Sequence, residues 1–247
     1  MLIVVCSGGH SPGATTAGLA LTLAWPRDVL LAECDPAGGS LLSGYLVGQP
    51  QDRGLGEWAV RLRRGGDSAA TLAEQVVELA GPVARRILPG LAEPAQAASV
   101  QPLWSRIAET FATASGDVIA DIGRVGGSDT PNPLLADADE VLLVAQPTLR
   151  HLSALAARLT EISTLRGSAA PARVLLIGPG PYSSREVTRA LGVEVADQFP
   201  RDPRATAILT HGVGNERYLP RSPLLRAART LANGLCQRAV REGVAAS

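Results

Sequence analysis

Short, unbroken apolar runs recur along this chain, most of them followed by a loop and a segment with helical periodicity. The runs read LIVVC at 2–6, DVLLAEC at 28–34, RRILPG at 85–90 and DVIAD at 117–121, then EVLLVAQ at 140–146, ARVLLIG at 172–178 and VEVADQF at 193–199. A strand wetted on one face alternates polar and apolar residues, whereas a strand covered on both faces does not, and parallel sheets are covered on both. The stretches TTAGLALTLA (15–24) and LRHLSALAARLTEISTL (149–165) read as connecting helices. This pattern predicts an α/β fold, a doubly wound, mostly parallel sheet with helices on both faces. A length of 247 residues suits one such domain, spanning 1–247, and no internal repeat or long linker divides it. Residues 50–115 alternate alanine-rich helical stretches with Gly and Pro and carry no chemical signal.

The composition narrows the function classes. At 46% hydrophobic and 19% charged, the chain has apolar surface enough for a large core, which excludes intrinsic disorder. A formal net charge of zero argues against a whole-surface nucleic-acid or membrane binder, though not against a local patch. Cys6, Cys34 and Cys236 form no C-x-x-C pair, and no apolar run is long enough for a signal peptide or a membrane span, so a reduced, cytoplasmic setting is expected. All 23 basic residues are arginine. No lysine is present to meet an anion.

That last point matters because of 8-GGHSPGATT-16, which follows the first apolar run. Gly8 through Thr15 has the spacing of the phosphate-binding loop G-x-x-x-x-G-K-[ST], but Ala14 stands where the motif has its lysine. A strand, a glycine loop and a helix in that order form an anion site from backbone N–H groups and the helix dipole. Taken alone, the stretch is equally well read as a tight strand-to-helix turn that needs glycine.

Further segments weigh toward the phosphate site: 31-LAECDPAGGSLL-42, 117-DVIADIGR-124, 138-ADEVLLVAQPTLRHLSAL-155 and 192-GVEVADQFPRDPRATAILTHG-212. With the loop, and in this order, they resemble the ParA/MinD group of P-loop ATPases, whose loop usually reads K-G-G-x-G-K-[ST]-T. The resemblance covers nearly the whole chain and implies a P-loop NTPase-like fold binding ATP or ADP with Mg²⁺. By that resemblance Thr15, Asp35 and Asp121 are the metal-side residues. Asp35 also orients the attacking water if the protein is active, and Asp121 is the Walker B aspartate. Gly8, Gly9, His10, Ser11, Pro12, Gly13, Ala14, Thr15 and Thr16 form the phosphate loop, and Pro200 and Asp202 line the base. A strand-end cap is the plain alternative for both Asp35 and Asp121.

The departures from the family pattern cluster on phosphate charge and base recognition. Ala14 and Gly9 replace two lysines, His10 and Ser11 replace the usual glycines, Pro12 has no N–H to give, and Gly178 stands where an asparagine often contacts the base. A charge about 4 Å from a phosphate is worth roughly 4 kcal/mol at an effective dielectric of 20, or about a thousandfold. Hydrolysis is therefore expected to be slow or absent, because phosphoryl transfer depends on positioned charge. Arg124, after the Walker B strand, is a candidate replacement cation, with a solvated loop arginine as its plain alternative.

The run GATT at 13–16 is similar to the loop of the CpaE/TadZ branch, which localises Tad-type pili. The implied function is a positioning or assembly factor that homodimerises and recruits a protein partner, in the cytoplasm or peripherally at the membrane or cell pole. Two alternatives stay open: an active ATPase of DNA partitioning with an arginine in the lysine's place, and a nucleotide-free interaction module. The helical run 223–240 is either a final packing helix or, as in MinD relatives, a membrane-surface helix.

Overall fold

The computed structural model describes residues 1–50, 52–167 and 172–245. Among these, eight strands form one sheet: β1 (Leu2–Ser7), β2 (Val29–Glu33), β3 (Val77–Leu79), β4 (Arg85–Leu88), β5 (Asp117–Arg124), β6 (Glu140–Ala145), β7 (Arg173–Ile177) and β8 (Val195–Phe199). Their spatial order is β3-β4-β2-β5-β1-β6-β7-β8. Every pairing is parallel except that of β3 with β4. The helices are α1 (Ala14–Ala24), α2 (Leu55–Arg63), α3 (Ser68–Ala73), α4 (Ala97–Val100), α5 (Trp104–Ala112), α6 (Asn132–Asp137), α7 (Leu149–Arg166), α8 (Ser184–Leu191), α9 (Pro203–His211) and α10 (Pro223–Ala245).

Successive strand residues feed two cores, as a sheet covered on both faces requires. Ile3, Val5, Leu31, Ile119 and Leu142 pack with Leu19 and Leu21 of α1, Ile208 of α9 and Leu225 and Leu235 of α10. Leu2, Val4, Cys6, Ala32 and Ala120 face the other way, onto residues of α2, α5, α6 and α7. There Trp58 and Phe111 stack at 5.6 Å, so two of the few aromatics fill one place. The apolar runs expected as strands are strands. The antiparallel edge strand β3 was not expected, since a three-residue edge strand is too short to show a period.

The C-terminal helix packs on the sheet. Leu224, Leu225, Ala228, Leu231, Ala232, Leu235 and Cys236 are all buried in the second core, and Val240 is an exposed large apolar residue on this helix. Among the described residues no helix is long and apolar enough to cross a membrane.

The register places the chemistry. β1 lies between β5 and β6, with Val5 opposite Asp121 on one side and Leu142 on the other. β2 sets Glu33 beside Asp121. The carboxyl ends of β1, β2 and β5 thus open side by side, where open α/β sheets bind ligands. At the opposite end of β5, Trp25 Nε1 donates to Asp117 Oδ2 at 2.7 Å, and the Arg27 guanidinium grips the same carboxylate through Nε and, at 2.9 Å to Oδ1, through Nη2.

Candidate functional site

The segment Gly8 to Gly13 joins β1 to α1. Gly8 is pressed onto α7, where a Cβ would lie 2.8 Å from the Leu155 backbone. The next residues turn through left-handed backbone: Gly9 at φ 141°, His10 at 64°, Ser11 at 48° and Gly13 at 105°. For His10 and Ser11 that conformation costs roughly 1–2 kcal/mol each. The loop therefore holds a glycine contour without the glycines. The first α1 hydrogen bond runs from Ala17 N to the Gly13 carbonyl at 2.9 Å. The N–H groups of Ala14, Thr15 and Thr16 therefore lie in the orphan first turn, where a helix end attracts anions.

Beneath the loop lie the carboxylates. Asp121 is buried, and its carboxyl is pushed up to about 7 by that burial first, with the charges of Glu33 and Asp35 adding to the effect. Hydrogen bonds from the Thr15 hydroxyl and the Gly123 N–H oppose the rise. Asp35, half-buried, is also raised by desolvation, while the Ala37 N–H donates to its Oδ1 at 2.8 Å. Glu33 is fully enclosed, and its carboxylate accepts from the N–H groups of Ser40 at 2.7 Å, Leu41 at 3.1 Å and Gly90 at 3.0 Å. It staples the chain after Asp35 to the end of β4.

One cavity of about 380 Å³ gathers Gly9 to Thr16, Asp35, Arg124 and Asp129. Thr15 and Asp35 of the expected metal set line it, and Asp121 stands behind Thr15. Ala14 lines it too, so a longer side chain there would enter the space. Arg124 is exposed and lies across Gly9, with its Cδ 3.7 Å from where a Cβ of residue 9 would stand.

A second cavity, about 360 Å³, begins at Ser11 to Gly13 and runs between the ends of β7 and β8 to α9 and α10. Ile177, Phe199 and Leu224 give it apolar walls, and Gln146, Thr206, Pro200 and Asp202 are polar or turn residues on its edge. Asp202 spends its carboxylate on local structure: Oδ1 accepts from Ala205 N at 3.0 Å, capping α9, and both oxygens meet the Tyr218 hydroxyl at 3.2 Å. Gly178 (φ 70°) offers no side chain, and its carbonyl accepts from Gln198 Nε2 at 2.7 Å.

Sequence reasoning did not single out Glu33, Gln146, Arg150, His151, Thr206 or Leu224. A glutamate two residues before Asp35 was a usable signal. Gln146, Arg150, His151 and Thr206 lie inside segments that carry the family resemblance, but nothing local sets them apart from their neighbours there, and Leu224 reads only as an apolar residue of a helix.

The donor set fits a magnesium nucleotide. It is all oxygen, as Mg²⁺ requires, and lies where a helix end faces a cavity. Among the described residues no three His, Cys, Asp or Glu side chains converge to hold an ion unaided. Mg²⁺ commonly takes one or two protein ligands and completes its shell with phosphates and water.

No protein-family profile matches this chain, and no curated protein matches it by sequence. Solved structures do match its shape. A ParA family ATPase from Chlorobium tepidum is 18% identical with a TM-score of 0.75, the alignment covering 94% of this chain and 96% of that one. The septum site-determining protein MinD of Pyrococcus horikoshii, solved with Mg-ADP, is 18% identical at TM-score 0.74 and 96% coverage of both chains. The MinC:MinD cell division complex of Aquifex aeolicus gives 15%, 0.72 and 96% of both.

Proposed function

Because this chain folds as the ParA and MinD ATPases do, we propose that it is a positioning or assembly factor that binds Mg-ATP or Mg-ADP weakly, dimerises and recruits a protein partner. The observation that carries this reading is the contour of the loop. His10 and Ser11 hold left-handed backbone beside Gly9 and Gly13, at the end of α1 and above Thr15, Asp35 and Asp121. Strained backbone lining a cavity next to an open helix N-terminus is a feature a plain turn does not need.

In this reading the N–H groups of Ala14, Thr15 and Thr16 would hold phosphate oxygens, and Thr15, Asp35 and Asp121 would hold the ion. Asp35 would also orient a water. Magnesium, when bound, supplies neutralisation of phosphate charge. Without a lysine at position 14, turnover is slow or absent. Ile177, Phe199 and Leu224 provide an apolar slot for a base, with Pro200 and Asp202 at its rim. The dimer of the family resemblance pairs the loop faces, which puts Asp35 and the Arg124 loop at the contact. The GATT run supports localisation of Tad-type pili as the specific role.

The test is titration calorimetry of ATP and ADP with Mg²⁺, on the native protein and on Asp121→Ala. Micromolar to millimolar binding that weakens in the variant supports the reading. No heat up to millimolar nucleotide leaves the interaction module that has abandoned nucleotide. One observation favours a second reading, an active ATPase of DNA partitioning: Arg124 crosses Gly9, where the family carries its signature lysine. Mg²⁺-dependent hydrolysis abolished by Arg124→Ala and by Asp35→Ala would establish it.

A further inference from the structure

We propose that His10 is the cation that meets the phosphates in this lysine-free loop, that His151 holds it in place, and that nucleotide binding takes up a proton at its imidazole. The inference rests on the nucleotide reading above and adds to it a residue and a linkage.

His10 is the exposed tip of the loop, in left-handed backbone at φ 64°, and it lines the cavity shared with Thr15, Asp35 and Arg124. Its ring meets the His151 ring edge-on, with centroids 5.8 Å apart and planes at 84°. His151 is itself tethered. Its Nδ1 is 2.8 Å from the Thr148 hydroxyl and its Nε2 is 3.4 Å from the His10 carbonyl. The His10 carbonyl can only accept, so His151 Nε2–H donates to it, while the Thr148 hydroxyl meets Nδ1. Both ring nitrogens of His151 are thereby used, clamping the loop tip by its backbone and by its ring. His151 is a positioning residue, and His10 keeps a ring with which to bind.

The charges around His10 are Arg150 and His151 from α7 and Arg124 from the end of β5. Asp35 and Asp129 line the same cavity. Desolvation on the loop, and then the field of Arg150, His151 and Arg124, hold the His10 imidazole below its ordinary range. In the free protein it is therefore mostly neutral at pH 7. A polyphosphate set against these groups reverses the field and makes the imidazolium the favoured form. The sign follows: the complex binds the proton more tightly than the free protein. The extra affinity is present in full below the free-state titration of His10 and is lost as pH rises through its titration in the complex.

The experiment is calorimetry of Mg-ADP at pH 7 in Pipes and in Tris, whose ionisation heats differ, together with a pH series from 6 to 8. The nucleotide and its metal are common to native and variant protein, so the difference between the two reports on the imidazole. Native protein is expected to take up a measurable fraction of a proton, which His10→Gln removes and His151→Gln diminishes. Relative to His10→Gln, native affinity should gain about tenfold between pH 8 and pH 6. His10→Arg, a permanent cation, should restore affinity at pH 8 with no proton uptake. Equal proton counts and equal pH profiles in native and His10→Gln protein overturn the inference while leaving nucleotide binding intact. Absence of nucleotide binding by native protein at every pH overturns both readings.

Discussion

The carboxylate of Asp35 occupies the space beside Gly123 that a Cβ on that residue would need. Gly123 is in left-handed backbone at φ 65°, directly after the buried Asp121 and Ile122. Glycine at 123 is thus what lets Asp35 lie against β5. Gly123→Ala should expel Asp35 from that place and lower Mg²⁺-dependent nucleotide affinity about as far as Asp35→Ala does. Made on the Asp35→Ala background, it should cost affinity little more. A double-mutant cycle in titration calorimetry measures this coupling, and additive losses would separate the two residues.

Ala14 lines the cavity of about 380 Å³ at the first turn of α1. Ala14→Lys should tighten Mg-ADP binding by between about tenfold and a thousandfold, since one well-placed charge near a phosphate is worth up to roughly 4 kcal/mol. The same calorimetry reads it. No gain in a folded variant would mean that phosphates do not sit in this loop.

Glu33 accepts from three backbone N–H groups on two separate segments. Glu33→Ala leaves those donors buried without partners and should cost about 3 kcal/mol of stability. For a domain of this size the melting temperature falls by about 6–12 °C. Thermal unfolding measures the loss, and limited proteolysis should find the 36–54 segment newly open to cleavage. Glu33→Gln, which keeps one acceptor, should fall between.

The acid limb of stability depends on Asp117. Burial raises its carboxyl, but hydrogen bonds from Arg27 and Trp25, with the attraction of Arg27 and the amino terminus, outweigh that and hold it below the usual range. A group depressed in the folded state stabilises fully above its unfolded value, about 3.9, and that contribution is lost as pH falls through the folded value. Native protein should therefore lose stability below about pH 4, and Asp117→Asn should be less stable at neutral pH with a flatter acid limb. Urea melts across pH 2.5 to 7 report both.

The centre of the sheet was legible because burial on both faces writes a mainly apolar run, as in β1, β2, β5, β6 and β7, while β4 opens on two arginines and β8 is mostly half-buried. The strand β3 escaped because three residues at an edge, buried, exposed and half-buried in turn, carry no such run. Between 50 and 115, α2 and α5 are held by the Trp58–Phe111 stack and by Arg106, whose guanidinium donates to the carbonyls of Leu62 and Gly66. Contacts of that kind are long-range and have no local signature. At the site, Thr15, Asp35 and Asp121 were pointed to as metal-side residues by the family resemblance and not by any local spacing, whereas the loop could be read from its glycine spacing. His151 could not, because it meets His10 across 141 positions.

The burial of α1 has a mechanical consequence. Its inner face lies on the sheet and its flank on α10, and both contacts are apolar. A tilt of α1 imposed at its loop end would therefore press on α10. With 23 residues at about 1.5 Å each, α10 is a lever roughly 35 Å long. A ligand that moved α1 from the loop would thus find α10 as the first helix in its way.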